Sequence, residues 1–115
     1  MIITKKEPYT EEEIEKLQEK LKPYIKTVID LELKICCAGA KMHYEEEKIL
    51  ITSGSRQNDI WGGGVDVETK TIAFDSMINL RPNDNNLSNE ILNPYKRKAF
   101  EELTSYFFSR IIKQN

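Results

Sequence analysis

The sequence has few of the residues that metal and disulfide sites require. It contains one histidine and two cysteines. The cysteines are neighbours, Cys36 and Cys37, and adjacent residues of a strand point to opposite faces of a sheet, so no disulfide between them is expected. A single histidine, His43, excludes two-histidine zinc sites and the helical metalloprotease motif. We therefore predict no disulfide and no metal centre.

The sequence also lacks a nucleotide-binding fingerprint. The glycine run Gly62 to Gly64 is not followed by the Lys-Ser or Lys-Thr pair of a phosphate-binding loop, and its spacing is not that of a dinucleotide site. Two interpretations of the run stay open: a nest of backbone amides that binds an anion, or a flexible strand edge. No cofactor is predicted.

Long hydrophobic runs are missing as well. The hydrophobic runs are only a few residues long, such as Ile49 to Ile51 and Tyr106 to Phe108, far below the roughly 20 residues that span a bilayer. The first residues show no basic start, apolar middle and small-residue cleavage site of a signal peptide. We expect no membrane segment, and a cytoplasmic location follows by default.

Neither sign of charge dominates the chain, whose formal net charge is −2 over 115 residues. Such a charge gives no overall attraction to phosphates, and the basic run Lys96 to Lys98 is typical of a solvated helix. Nucleic-acid binding is therefore not predicted. With 39% hydrophobic and 31% charged residues, the composition is typical of one globular unit, and we predict a single domain over residues 1–115.

Amphipathic helices are predicted near both ends of the chain. Thr10 and Glu13 have the spacing of a capping box, and apolar residues follow at three- and four-residue steps as far as Val28. Pro23 lies inside this pattern and should kink or break the helix. The pair Asn93-Pro94 supplies a cap and a first-turn proline for a closing helix.

Between the helices the apolar period changes to two, which is typical of strands. Alternation from Leu31 to Cys37, and again from Ala40 to Tyr44, predicts one bent strand or two. The segment from Glu45 to Thr52 is interpreted as a turn and a strand, with a short helix as the open alternative. Alternation from Val65 to Leu80, interrupted at Glu68-Thr69-Lys70, predicts a hairpin.

These elements predict an α+β fold. The simplest arrangement is an antiparallel meander of about four strands, with the N-terminal and the C-terminal helix packed on one face. The other face of the sheet would be open to solvent or to a partner, and function is expected there.

Polar and glycine residues are concentrated between His43 and Ser88. On the last predicted strand Asp75, Asn79 and Arg81 share one face, near Trp61. A guanidinium, a carboxylate and an amide beside an indole are groups that bind a small polar ligand or a peptide terminus. The predicted binding set is Ser55, Gln57, Asp59, Trp61, Asp75, Asn79 and Arg81.

The favoured interpretation is a non-catalytic binding or interaction module with a small polar ligand or a protein partner, and homo-oligomerisation is left open. Two alternatives use some of the same residues. Arg81 and Asp75 would instead anchor the loop that follows them, as an internal network. Convergence of His43, Asp59 and Asp75 in one cleft would instead favour a small metal-assisted hydrolase.

Four strings of the sequence carry a likeness to known proteins. They are Met42-His43 with the acidic residues after it, Gly54 to Gly62, Phe74 to Pro82, and Asn86-x-Ser88. With these strings the chain resembles a family of small uncharacterised prokaryotic proteins, a domain of unknown function. The resemblance covers most of the chain and implies a shared fold and a shared polar surface. It implies no activity, since none is established for the family.

Overall fold

A computed structural model describes residues 1–112, which form an α+β fold of five strands and three α-helices. The strands are β1 (Ile3–Lys5), β2 (Tyr24–Asp30), β3 (Ile35–Ala38), β4 (Ile60–Asp66) and β5 (Thr71–Ala73). The helices are α1 (Glu11–Leu17), α2 (His43–Thr52) and α3 (Pro94–Phe107). Single 3-10 turns lie at Gln57–Asp59, Met77–Asn79 and Pro82–Asp84. The predicted fold class is confirmed.

The five strands form one antiparallel sheet in the order β1-β3-β2-β4-β5. The sheet has one strand more than the predicted four and is not a simple meander, because β1 pairs with β3 and the chain crosses through α2 before β4 joins β2. Seven residue pairs join β2 to β4, from Tyr24 with Asp66 to Asp30 with Ile60. These two long strands form the centre of the sheet.

Helices cover both faces of the sheet. On one face Leu17 of α1 and Phe107 of α3 join Trp61 of β4 in the larger core. On the other face Leu50 of α2 packs with Val28 of β2 in a smaller core. The prediction that one face is open is therefore wrong. That face is covered by α2, whose segment from Glu45 to Thr52 was interpreted as a turn and a strand.

The segment from Glu45 to Thr52, interpreted as a turn and a strand, is part of helix α2. Its two buried residues, Glu46 and Leu50, are four positions apart and so lie on one side of a helix. The apolar run in the segment is too short to distinguish the two structures by its period. The alternative interpretation is correct, and the strand predicted from Ala40 to Tyr44 is wrong because α2 begins at His43.

The predicted helix starts are confirmed at both ends of the chain. The Glu13 amide donates to the Thr10 hydroxyl at 3.1 Å, and the Thr10 amide donates to the Glu13 carboxylate at 2.8 Å. The Asn93 side chain accepts from the amides of Tyr95 and Lys96 at 2.9 and 3.0 Å. Local side-chain chemistry is sufficient to place these two helix starts.

The first helix is much shorter than predicted. It ends at Leu17, and the residues after Pro23 form the central strand β2. This strand contains the β-branched residues Ile25, Thr27, Val28 and Ile29, whose restricted side chains favour strands over helices. The strand predicted from Leu31 begins only at Ile35.

The predicted hairpin is confirmed, since Asp66 pairs with Thr71 across Glu68-Thr69-Lys70. Its second strand ends at Ala73 rather than at Leu80. The chain turns away there into the 3-10 turn at Met77–Asn79. As a result Asp75, Asn79 and Arg81 do not share a strand face, which corrects the prediction for these side chains.

Two predictions, of no disulfide and of no membrane segment, concern features that the structure describes over residues 1–112. Cys36 and Cys37 are free thiols, and they point into the larger and the smaller core respectively, as adjacent strand residues must. Within residues 1–112 no helix is both long enough and apolar enough to cross a membrane.

Candidate functional site

Arg81 lies buried, and its guanidinium binds three main-chain carbonyls. Nε donates to the carbonyl of Ile78 at 2.8 Å, Nη1 donates to that of Gln57 at 2.6 Å, and Nη2 donates to that of Ile60. The guanidinium carbon also lies 4.4 Å from the centre of the Trp61 ring. Arg81 therefore joins the loop before β4 to the turn after β5, so the strings Gly54 to Gly62 and Phe74 to Pro82 lie side by side.

Asn79 is wholly buried, and its side-chain amide takes the place of a missing strand. Its Oδ1 accepts from the Gly62 amide at 2.8 Å, and its Nδ2 donates to the Gly62 carbonyl at 2.8 Å. The main-chain N–H and C=O of Gly62, which lies beyond the end of β5, therefore both have hydrogen-bond partners. Asn86 has a similar role in the next loop, where its Nδ2 donates to the carbonyls of Asn79 and Glu90, each at 2.8 Å. We call Arg81, Asn79 and Asn86 the anchor network.

The other predicted binding residues are divided between the scaffold and the surface. The Ser55 hydroxyl donates to Asp30 at 2.6 Å and joins its loop to the β2–β3 hairpin. The Gln57 side chain is exposed. Asp59 lines a cleft of about 260 Å³ together with Trp61 and Lys96, on the face of α3. Trp61 itself is 1% exposed, so the indole is not presented on an open surface.

The glycine run in β4 is determined by packing. A Cβ on Gly62 would lie 2.7 Å from the Cβ of Ser76, and a Cβ on Gly64 would lie 2.1 Å from the Tyr24 hydroxyl. Contacts this short do not occur, so neither position accepts a side chain without displacing a neighbour. The run Gly62 to Gly64 lies in β4, which pairs with β2 along its whole length and with β5 from Gly64 onward. The Gly62 amide donates to Asn79 instead, so the run is neither a flexible edge nor a nest of free amides.

A cleft of about 410 Å³ lies on the α2 side of the sheet. We call it the His43 cleft, and its polar lining consists of Tyr24, Lys26, His43, Asp75, Ser76 and Asn89. The position of Asp75 is set by an antiparallel bridge between its main chain and that of Glu90. Side chains from β2, from α2 and from the segments that flank the 3-10 turn at Met77–Asn79 therefore meet in one concave site.

His43 has a defined orientation in this cleft. Its Nε2 lies 2.7 Å from the Gly63 carbonyl, and because a carbonyl can only accept, Nε2 carries the hydrogen and Nδ1 of the neutral ring has a free lone pair. Burial lowers the pKa of His43, and the positive charge of Lys26 lowers it further, against the opposing effects of the Gly63 bond and Asp75. The imidazole is thus held neutral at ordinary pH.

Three polar groups of the cleft have no partner among residues 1–112. The Lys26 ammonium, the Tyr24 hydroxyl and the Asp75 carboxylate form neither a hydrogen bond nor an ion pair with a described residue. Burial, with the negative charge of Asp75, raises the pKa of Tyr24 to about 12, so its hydroxyl keeps its proton near neutral pH. The cleft therefore offers one cation, one anion, one phenol donor and one imidazole acceptor.

A family model described as a protein of unknown function, DUF5674, matches residues 1–107. The chain belongs to the DUF5674 family. The matched range contains every residue of the anchor network and of the His43 cleft, and the likeness to a domain of unknown function is confirmed. No curated protein and no solved structure matches the chain.

The three residues considered for a hydrolase do not converge in this DUF5674 member. His43 and Asp75 line the His43 cleft, but Asp59 lines the separate cleft beside Trp61. Within residues 1–112 no group of three His, Cys, Asp or Glu side chains is placed to hold a metal ion. The condition set for the hydrolase interpretation, one shared cleft, is not met.

Glu46 is a buried acid that the sequence interpretation did not single out. Its Oε2 accepts from the Ala40 amide at 2.9 Å, and its Oε1 has no hydrogen-bond partner in the part of the chain that the structure describes. Burial raises the pKa of Glu46 well above its usual value, although the Ala40 bond and the charge of Lys26 lower it in part. Its spacing to Leu50 would have identified it as inward-facing once α2 was recognised as a helix.

Replacing Arg81 with Ala should destabilise the fold strongly. Three carbonyls would lose their donor, and each buried unsatisfied group costs about 1–3 kcal/mol, so we expect a loss of at least about 3 kcal/mol in the free energy of unfolding measured in urea. Arg56→Ala, at an exposed arginine of the loop before β4 that Arg81 contacts, is the matched control and should change stability by less than about 0.5 kcal/mol. Equally small losses in both variants would contradict an anchoring role.

Replacing Glu46 with Gln should remove one source of pH dependence. The pKa of Glu46 is raised in the folded state, so its contribution to stability is complete below the unfolded-state pKa and is lost as the pH rises through the folded-state pKa. Gln cannot ionise, so the stability of the variant relative to the natural chain should rise from about pH 4 upward. Urea unfolding of both proteins at successive pH values measures this difference. A difference that does not change with pH would contradict the raised pKa.

Proposed function

We propose that the chain is a non-catalytic binding protein that holds a small polar ligand in the His43 cleft. The observation that supports this proposal is a contrast between two sets of polar side chains. Those of the anchor network are bonded to the protein's own main chain. Those of Lys26, Tyr24 and Asp75 line one concave site and form no hydrogen bond or ion pair with any residue of 1–112. A few converging polar groups in a concave site are typical of small-molecule binding.

The size and the stiffness of the cleft support the same function. Its volume of about 410 Å³ lies within the roughly 300–1,000 Å³ of known ligand pockets. His43 is held by the Gly63 carbonyl and Asp75 by the main-chain bridge to Glu90. A site whose groups are already held in place loses less conformational entropy when a ligand binds.

The proposal divides the binding set predicted from sequence. Asp75 belongs to the ligand site, whereas Ser55, Asn79 and Arg81 form part of the scaffold, because their polar atoms are engaged internally. Trp61 belongs with the scaffold as the buried ring on which Arg81 lies. Gln57 and Asp59 lie outside the cleft and have no role in it.

A matched pair of lysine variants tests the proposal. Inorganic phosphate, acetate, glycine and glycerol are titrated separately into the protein, and amide NMR spectra report which residues respond. We expect at least one probe to give saturable shifts at residues of the His43 cleft. Lys26→Gln should weaken that binding by about tenfold or more, because a charge-assisted contact is lost. Lys48→Gln removes an exposed lysine of α2 and should leave the affinity unchanged.

Two results would contradict the proposal. The first is a set of shifts that maps to the surface around Trp61 and Tyr95, on the other side of the sheet, while the His43 cleft does not respond. The second is an equal affinity in the natural chain and in Lys26→Gln. Either result would remove the cleft as the site of binding.

A further inference from the structure

Two opposite charges face the His43 cleft without neutralising each other. Lys26 is half-buried and Asp75 is exposed at the same cleft, yet they do not form an ion pair with each other or with another residue of 1–112. The half-buried Lys26 acts through its charge on the buried Glu46 carboxyl, but it forms no ion pair within residues 1–112, so the hydration lost on burial is not offset by a direct contact with a counter-charge. A counter-charge that enters the cleft would supply that contact.

The neutral side chains of the cleft provide a donor for an anionic group and an acceptor for a cationic group. Tyr24 and Lys26 are two residues apart on β2 and so lie on one face of the strand, where the phenol and the ammonium can both donate to an anionic group. His43 presents the free Nδ1 lone pair, because its Nε2 hydrogen is used by Gly63. Together with Asp75 it provides acceptors for a cationic N–H group.

A ligand that carries a charge of only one sign would be repelled by either Asp75 or Lys26. A simple anion bound at Lys26 would lie in the same cleft as the Asp75 carboxylate, which repels it. A metal cation or simple ammonium bound at Asp75 would lie in the same cleft as the Lys26 ammonium. Two unit charges about 4 Å apart interact by about 1 kcal/mol in water and about 4 kcal/mol near a protein surface, enough to distinguish ligands. A molecule that carries both signs satisfies both residues.

We infer that the ligand of the His43 cleft is a small zwitterion, with its anionic group paired to Lys26 and its cationic group paired to Asp75. Small amino acids are the chemical class that fits this description. The inference rests on the proposed function and specifies the ligand class of the same site.

The test compares zwitterions of increasing charge separation with molecules that carry each charge alone. Glycine, β-alanine and γ-aminobutyrate form the zwitterion series, and acetate and methylammonium are the single-charge controls, all at equal ionic strength. Dissociation constants are taken from the amide shifts of the cleft residues. We expect at least one zwitterion to bind about tenfold or more tightly than either control, since it gains a second charge-assisted contact.

Two variants assign the charges. Asp75→Asn should remove the advantage of the zwitterion over acetate, and Lys26→Gln should remove its advantage over methylammonium. Amide spectra that are unchanged outside the cleft verify that both variants fold, and normal binding by Lys48→Gln shows that loss of an exposed lysine outside the cleft does not by itself weaken binding.

The outcomes separate the inference from the proposed function. If acetate alone binds the cleft as tightly as every zwitterion, or if Asp75→Asn leaves zwitterion affinity unchanged, the zwitterion inference is overturned and a binding cleft remains. If none of the five probes shifts a cleft amide but phosphate or glycerol does, the inference is overturned and a binding cleft remains. If phosphate and glycerol also leave the cleft amides unchanged, the inference and the proposed function are both overturned.

Discussion

Three consecutive glycines in β4 allow side chains from both layers to reach the main chain of the central sheet. On one face the Phe100 ring would lie 2.7 Å from a Cβ on Gly63, so α3 packs directly on the strand. On the other face the Tyr24 hydroxyl occupies the space that a Cβ on Gly64 would need. The carbonyl of the middle glycine accepts from His43. The close packing of α3 and the floor of the His43 cleft therefore depend on the same absence of side chains.

The polar residues next to this strand form two groups with different energetics. Arg81, Asn79 and Asn86 are buried and bonded to main-chain groups, and a buried polar network stabilises a fold only when its members are satisfied. The groups that line the His43 cleft are less buried, and several have no hydrogen-bond or ion-pair partner among the described residues. Groups of this kind contribute little to stability, and retaining them is understandable if they serve binding.

The sequence predicts those features of the fold that depend on neighbours along the chain. The Thr10 and Asn93 caps and the hairpin at Glu68–Lys70 follow from local hydrogen bonding and alternation. Helix α2 could not be distinguished from a strand, and stayed the alternative interpretation, because its apolar run has no distinguishing period. Strand β2 was assigned to a helix because its apolar residues continued the spacing of α1, and its β-branched composition was the signal that was missed.

The candidate site was predicted only in part for the same physical reason. His43 and Asp75 were singled out by residue type, but Lys26 and Tyr24 lie on the strand assigned to a helix, and nothing local connects them to Asp75. Sequence also cannot distinguish an asparagine or arginine that binds a ligand from one that binds its own main chain, because both uses favour the same residue types. The anchor network was open to either interpretation until the three carbonyl partners of Arg81 were located.

The central claim is that the glycine strand holds His43 so that a preformed cleft presents a free Nδ1. Because His43 is the only histidine in the chain, nitrogen-15 NMR of the imidazole measures this directly. The account predicts a neutral ring with the hydrogen on Nε2 and a titration midpoint below the ordinary histidine pKa of about 6.5, the direction that burial and Lys26 impose. A ring that titrates at the ordinary value as a mixture of the two tautomers would contradict it.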